Sequence, residues 1–280
     1  MRFKTDYVKN FSIFVSLAVL CLIILPTMVP TVRADEVQDL AKQVQNPVAD
    51  LISLPLQNNT NFNVGPGEDT QNILNIQPVI PFKWDEDWNV ITRTILPIIY
   101  QPEMTPGYGS DYGWGDLNTT LFWSPVTEGE TFYGVGPIFS FPTANDRALG
   151  TGKYSAGPAA VYLQTPGRWV YGALANNLWS YAGDGDRDTV NRFLLQYFIN
   201  YNLPEGWYLI TSPIVTADWQ AGSGNKWTIP FGGGVGRIFN IGDHPVNAQI
   251  QAFVNVDKPD YGPDWTLRLQ LQFLFPKSSE

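Results

Sequence analysis

Proton transfer near neutral pH most often falls to histidine, and this chain has one, His244. It stands in Gly242-Asp-His-Pro245, a turn sequence, so a serine–histidine couple would have its base at the tip of a connection. A solvated turn histidine is expected there, and the chain is not expected to be an enzyme. Cys21 is the only cysteine, which leaves no disulfide framework and, beside one histidine, no Cys/His metal centre. Asp184-Gly-Asp-Arg-Asp188 opens like a calcium loop. Thr189 stands where such a loop needs glycine, however, and Leu195 where it needs the bidentate glutamate. A solvated acidic surface loop is expected instead. Gly232-Gly-Gly-Val-Gly236 precedes no helical pattern, so it predicts a bend or tight contact in a strand rather than a phosphate loop. No cofactor and no metal are expected.

What remains is charge and amide. Arg192, Asp218, Lys226 and Arg268 carry charge in segments where apolar and polar residues alternate, and Arg93 stands apart from them. Gln196, Asn200, Gln249, Gln251, Gln270 and Gln272 fill polar positions of such segments. If these side chains face a lumen, they decide what passes through it. The four clustered charges read equally as a selectivity ring at a pore mouth or as an ion-pair network bracing it.

The elements that must hold these residues are strands. In Trp265-Thr-Leu-Arg-Leu-Gln-Leu-Gln-Phe-Leu-Phe275 the odd positions are apolar and the even ones polar, except Leu274. Eleven residues of this kind match the ~10 that cross a bilayer as a tilted barrel strand. Twelve strands are predicted, at about 51–62, 71–83, 88–100, 113–123, 131–141, 153–165, 168–181, 189–202, 206–218, 227–240, 246–256 and 265–275. Short turns alternate with mostly longer, Gly-rich or acidic loops, and the strand count is even. That is the layout of a transmembrane antiparallel up-and-down β-barrel. Trp84, Trp88, Trp123, Trp169 and Trp207 adjoin the short turns, while Trp114, Trp179, Trp219, Trp227 and Trp265 adjoin the long loops. Two aromatic girdles are predicted from this sorting. Val246, Ala248, Ile250, Ala252, Val254 and Val256 should face lipid, and Asn247, Gln249, Gln251, Phe253 and Asn255 the lumen. Against the model, Pro78, Pro97, Pro137, Pro158, Pro213 and Pro230 fall inside strands, where each requires a bulge or a water partner.

The ends fit export. Arg2, Lys4 and Lys9 precede an apolar run from Phe11 to Val29, and Val32-Arg-Ala34 offers a cleavage site, so residues 1–34 read as a signal peptide. An uncleaved single-span anchor is the alternative. Cleavage removes Arg2, Lys4, Lys9, Arg33 and Asp6, taking the formal charge from −9 to −12. A chain this acidic is no nucleic-acid partner. Residues 35–45 are the one mature helix expected, with Val37, Leu40, Ala41 and Val44 at helical spacing and Pro47 to stop it. Residues 35–50 then form a periplasmic leader or a plug, 51–276 the barrel and 277–280 a tail.

Gln45-Asn-Pro-Val-Ala-Asp-Leu-Ile-Ser-Leu-Pro-Leu-Gln-Asn-Asn59, Asn75-Ile-Gln-Pro-Val-Ile-Pro81, Leu149-Gly-Thr-Gly-Lys-Tyr-Ser-Ala-Gly-Pro158, Leu195-Gln-Tyr-Phe-Ile-Asn-Tyr-Asn202, Gly206-Trp-Tyr-Leu209 and Leu269-Gln-Leu-Gln-Phe-Leu-Phe-Pro276 add a resemblance. The chain resembles a family of Gram-negative outer-membrane transporters related to the meta-pathway phenol degradation group, sometimes under a misleading neuromedin U label. The likeness covers nearly the whole mature chain. It implies a barrel in the outer membrane and assigns no functional residue. The expected function is a channel for small solutes, hydrophobic or aromatic ones by association, and the alternative is a non-conducting structural barrel. The expected partners are the lipid bilayer, lipopolysaccharide and the barrel-assembly machinery. A soluble β-sandwich is the outside reading.

Overall fold

The protein is described here by a computed structural model covering residues 34–127, 129–242 and 244–275. The signal peptide expected over 1–34 lies, but for Ala34, outside the described residues, as does the tail expected over 277–280. One helix, α1 (Ala34–Gln45), precedes the strands.

Twelve strands follow. They are β1 (Ile52–Val64), β2 (Asp69–Ile76 resuming as Val79–Lys83), β3 (Trp88–Gln101), β4 (Asp111–Trp114 resuming as Leu117–Pro125), β5 (Thr131–Phe141) and β6 (Lys153–Gln164). The second half comprises β7 (Trp169–Gly183), β8 (Asn191–Asn202), β9 (Trp207–Thr211 resuming as Ile214–Asp218), β10 (Trp227–Ile241), β11 (His244–Asp257) and β12 (Trp265–Phe275). Each strand pairs antiparallel with the next, and β12 returns to β1 from Ile52 opposite Phe275 to Phe62 opposite Trp265. The sheet therefore closes into a twelve-stranded up-and-down barrel with no edge left to pair.

The prolines explain the interruptions. Pro78 and Pro213 lie in the two-residue breaks of β2 and β9, and Pro97 donates nothing but accepts Gly115 N at 2.9 Å where β4 is broken. Pro230 marks a register shift between β10 and β11. Pro137 and Pro158 face each other across β5 and β6. Each therefore directs its missing N–H away from the other, and the ladders lapse on both far sides, between Thr120 and Trp123 on β4 and between Ala156 and Ala159 on β6. A closed barrel thus tolerates its prolines by gathering them at gaps in the ladder rather than by bulging around each one.

Alternation sorts the wall into two faces. On the outer face Leu54, Leu56, Leu267, Leu271 and Phe273 meet across the β1–β12 seam, and Phe62 stacks on Trp265 with ring centroids 3.9 Å apart. Trp84 and Trp169 at the short-turn end are 68% and 47% exposed, and Trp114 and Trp179 at the long-loop end 45% and 46%. An apolar outer band between two exposed aromatic rims is what a bilayer covers. Polar residues also occur on this face. Asn58, Thr60 and Asn72 lie outward near the long-loop end and satisfy one another: Asn58 Nδ2 donates to Asn72 Oδ1 at 2.9 Å, and Thr60 Oγ1 to Asn58 Oδ1 at 3.1 Å.

Candidate functional site in the barrel lumen

The lumen has two unlike half-walls. From β3 to β8 its inward side chains are largely apolar, and Ile91, Phe122, Val161, Leu163, Val170, Leu174 and Phe198 form one buried cluster. From β11 round to β2 they are largely amides, and β9 and β10 between the two walls present Tyr208, Ile210, Ile238 and glycines. The reason is local: β11, β12 and β1 alternate Asn and Gln with aliphatic residues, so closure places these three amide rows side by side on one inner arc.

One guanidinium organises that arc. Arg268 on β12 is 5% exposed; its Nε donates to Asn59 Oδ1 of β1 at 2.9 Å and its Nη1 to the Ser212 carbonyl of β9 at 2.7 Å. It reaches β9 across β11 and β10, passing the glycine stretch of β10, where β-carbons at Gly232 and Gly234 would stand 2.0 and 1.8 Å from the carbonyl oxygens of Ala252 and Ile250 on β11. The Arg268 guanidinium also lies over the Phe253 ring, 4.9 Å from its centroid. Gln251 Oε1 accepts both Ser212 N and Ser212 Oγ at 3.0 Å, and Gln251 Nε2 donates to Gln249 at 3.1 Å. Lower on the arc, Tyr208 donates its hydroxyl to Asn247 at 2.5 Å, and Asn247 donates to Gln272 at 3.1 Å.

Arg93 projects from β3, where the two half-walls meet. Its Nη2 donates to Gln77 Oε1 at 2.8 Å. Arg93 and Arg268 lie within electrostatic reach of each other. Among the described residues, the ion pairs are Lys42–Glu130, Arg147–Asp184, Arg192–Asp218 and Lys258–Asp264. Neither inner arginine has a carboxylate; their partners are amide, hydroxyl and carbonyl oxygens.

Helix α1 and the segment after it occupy the short-turn end. Ala41, Val44 and Leu51 pack with the inward Tyr208, Ile210, Ile238 and Leu274, and Val48 joins the apolar cluster of the far wall. Gln45 Nε2 donates to Asn202 Oδ1 at 2.9 Å, and Lys42 Nζ stands 3.9 Å from Glu130. Behind this cap lies a cavity of about 140 Å³ whose lining mixes polar Arg93, Gln57, Gln77, Gln196, Asn200, Gln249, Gln270 and Gln272 with apolar Val79, Leu174 and Phe198; Gln196 stands beside Leu174, and Val79 beside Arg93. A space of about 630 Å³ beside α1 opens at the short-turn end, and one of about 960 Å³ at the long-loop end.

The structure divides the four clustered charges. Arg192 and Asp218 are paired at 3.2 Å and line the space at the long-loop end. Lys226 sits opposite Asp218 at the end of β10, its carbonyl accepting Asp218 N at 2.8 Å, with no carboxylate in ion-pair range among the described residues. Arg268 is remote from them, deep in the amide arc. Gln251 holds Ser212 and Gln249 rather than lining the cavity. Residues that sequence reasoning did not single out complete the site: Gln57, Asn59, Gln77, Tyr208 and Ser212. Gly232 to Gly236 was the available signal for Tyr208, because an aromatic ring needs a facing strip without side chains.

The remaining candidates do no chemistry visible in the geometry. His244 is exposed at the start of β11. In the acidic loop, Asp184 meets Arg147 at 3.4 Å and its carbonyl accepts Lys153 Nζ at 2.6 Å. Arg187 donates to the carbonyls of Thr151, Arg147 and Gly150. These contacts knit the β7–β8 loop to the β5–β6 loop.

No family model matches the chain, and no curated protein is found similar to it. Among solved structures, an outer membrane channel from Pseudomonas putida F1 superposes with a TM-score of 0.61 at 16% identity, over 80% of this chain and 95% of that one. The monoaromatic hydrocarbon channel CymD matches at a TM-score of 0.48 and 9% identity, over 89% and 94%. The outer membrane phospholipase A of Escherichia coli matches at 0.44 and 11%, over 88% and 99%. The first of these agrees with the barrel fold; the other two are too loose to bear on it.

Proposed function

We propose that the protein is an outer-membrane channel for small solutes and has no catalytic role. The carrying observation is a lumen that stays polar along one arc and holds a cavity of about 140 Å³ between larger spaces toward its two ends. A twelve-stranded barrel lies between the filled eight-stranded kind and the wide porin, so small solutes rather than bulk diffusion are the expected traffic. The resemblance to transporters related to the phenol degradation group, and the fold shared with an outer membrane channel, support this reading. The aromatic rims fit a lipid bilayer whose outer leaflet is lipopolysaccharide, reached through the barrel-assembly machinery after removal of residues 1–34. Arg93, Arg192, Gln196, Asn200, Asp218, Lys226, Gln249, Gln270 and Gln272 are proposed to line the path, with Gln251 and Arg268 bracing the wall behind it. Residues 35–50 are proposed to act as its stopper.

One observation favours a non-conducting barrel: Ala41, Val44 and Val48 are buried against lumen side chains, which closes the short-turn end. Planar-bilayer recording separates the two readings. Conductance from the whole chain, or from a chain lacking residues 35–50, supports the channel. Silence from both, with heat-dependent mobility retained on an SDS gel, leaves the structural barrel.

A further inference from the structure

The inner cavity joins two chemistries that rarely share so small a space. Arg93 and the glutamines 57, 77, 249 and 270 offer it donors, while Leu174 and Phe198 offer it an apolar floor. No Asp or Glu lines it, although the whole chain carries a formal charge of −9. The acidic residues that line the larger spaces stand at the two ends, Asp50, Glu86 and Glu130 at the short-turn end and Asp116, Asp186, Asp188 and Asp218 at the long-loop end. Both inner guanidinium groups are held by neutral oxygens. Neutral partners leave the positive charge unbalanced, and among neutral neighbours inside the barrel that charge attracts an anion more strongly than in bulk water. The volume, about 140 Å³, is close to the roughly 150 Å³ that accommodates a benzene ring.

We infer that this cavity is a binding site for small amphipathic monocarboxylates, with the carboxylate on Arg93 and its neighbouring amides and the apolar body against Leu174 and Phe198. The inference rests on the channel reading for its biological use, since the site would select what the channel passes. A bidentate guanidinium–carboxylate contact fixes the head group, and the facing apolar side chains favour a ring or short chain over a second charge. An inorganic anion would gain only the first of these contacts.

Calorimetric titration of the refolded barrel in detergent tests it with benzoate, benzyl alcohol and benzylamine, three probes that differ only in the head group. Benzoate is expected to bind at least tenfold more tightly than the other two. Arg93→Gln is expected to abolish that preference and Arg93→Lys to keep most of it, with heat-dependent gel mobility reporting the fold of each. Equal binding of the three probes, or benzoate binding unchanged in a folded Arg93→Gln barrel, overturns the inference. If Arg93→Gln does not fold, the order of the three probes on the natural chain decides alone. Bilayer conductance is read separately. A silent barrel that prefers benzoate loses the channel and keeps the site; a conducting barrel without the preference keeps the channel and loses the site.

Discussion

A β-carbon at Gly236 would stand 2.1 Å from Cζ of Tyr208, so this glycine exists to let a ring lie flat on β10. Gly236→Val should force Tyr208 off its site and cost about 1–3 kcal/mol, the usual range for overpacking. Tyr208→Phe keeps the shape and removes the hydroxyl that Asn247 accepts, and should cost roughly 1 kcal/mol. Urea unfolding of the refolded barrel in lipid vesicles measures both, and equal losses would refute the steric account. A second residue reports on pH. The Asp264 carboxylate, in the loop outside the membrane band, is held below its ordinary range first by the hydrogen bond from Lys258 and then by that from Asn63. A depressed folded value means its contribution is present above the unfolded range and is lost as pH falls through the folded one. Carboxyl-carbon NMR should show Asp264 titrating at higher pH in Lys258→Ala than in the natural chain. Leu274 shows what single residues reveal in sequence. It is the one apolar side chain on the polar face of β12, and it packs in the cluster that receives Ala41 and Val44. The exception was visible in the sequence; its meaning was not, because the partner lies more than two hundred residues earlier.

At the scale of elements, alternation located all twelve strands to within a few residues, since period two is a local property. It also separated the outer from the inner row of β11. It failed on the Gln57-Asn-Asn-Thr-Asn61 run, where both faces are polar and no contrast marks the side that meets lipid. Register supplies the answer: Asn59 reaches Arg268 inside, while Asn58 and Thr60 pair with Asn72 outside. Asn58→Ala should therefore remove one of the two oxygens that accept the Asn72 amide, leaving Thr60 Oγ1, and lower stability by about 1 kcal/mol in the same urea unfolding. The helix is a separate case. Its amphipathic spacing was readable, but a stripe names no partner, and only the closed barrel presents Ile210, Ile238 and Leu274 together. Val44→Asp, like removal of residues 35–50, should raise single-channel conductance severalfold; unchanged conductance would dismiss the stopper.

For the whole molecule, what no strand could disclose was the inequality of the lumen's two sides. Each strand shows its own inner row, yet the apolar arc and the amide arc arise only when the rows are laid side by side around the closure. The same holds for charge, since an acidic chain keeps its carboxylates at the rims and two arginines in the middle. Reversal potentials in a KCl gradient should accordingly favour chloride over potassium, and Arg93→Gln should diminish the preference. The gathered prolines have a mechanical consequence as well. Where Pro137 meets Pro158, the wall lacks cross-links on both flanks, on the side of the cylinder opposite the β1–β12 closure. A tube stitched evenly resists flattening, whereas a tube with a short gap on each flank of one strand pair yields first at that spot. The cross-section should therefore give locally there, in the apolar arc, and admit a bulkier ring without parting any backbone hydrogen bond.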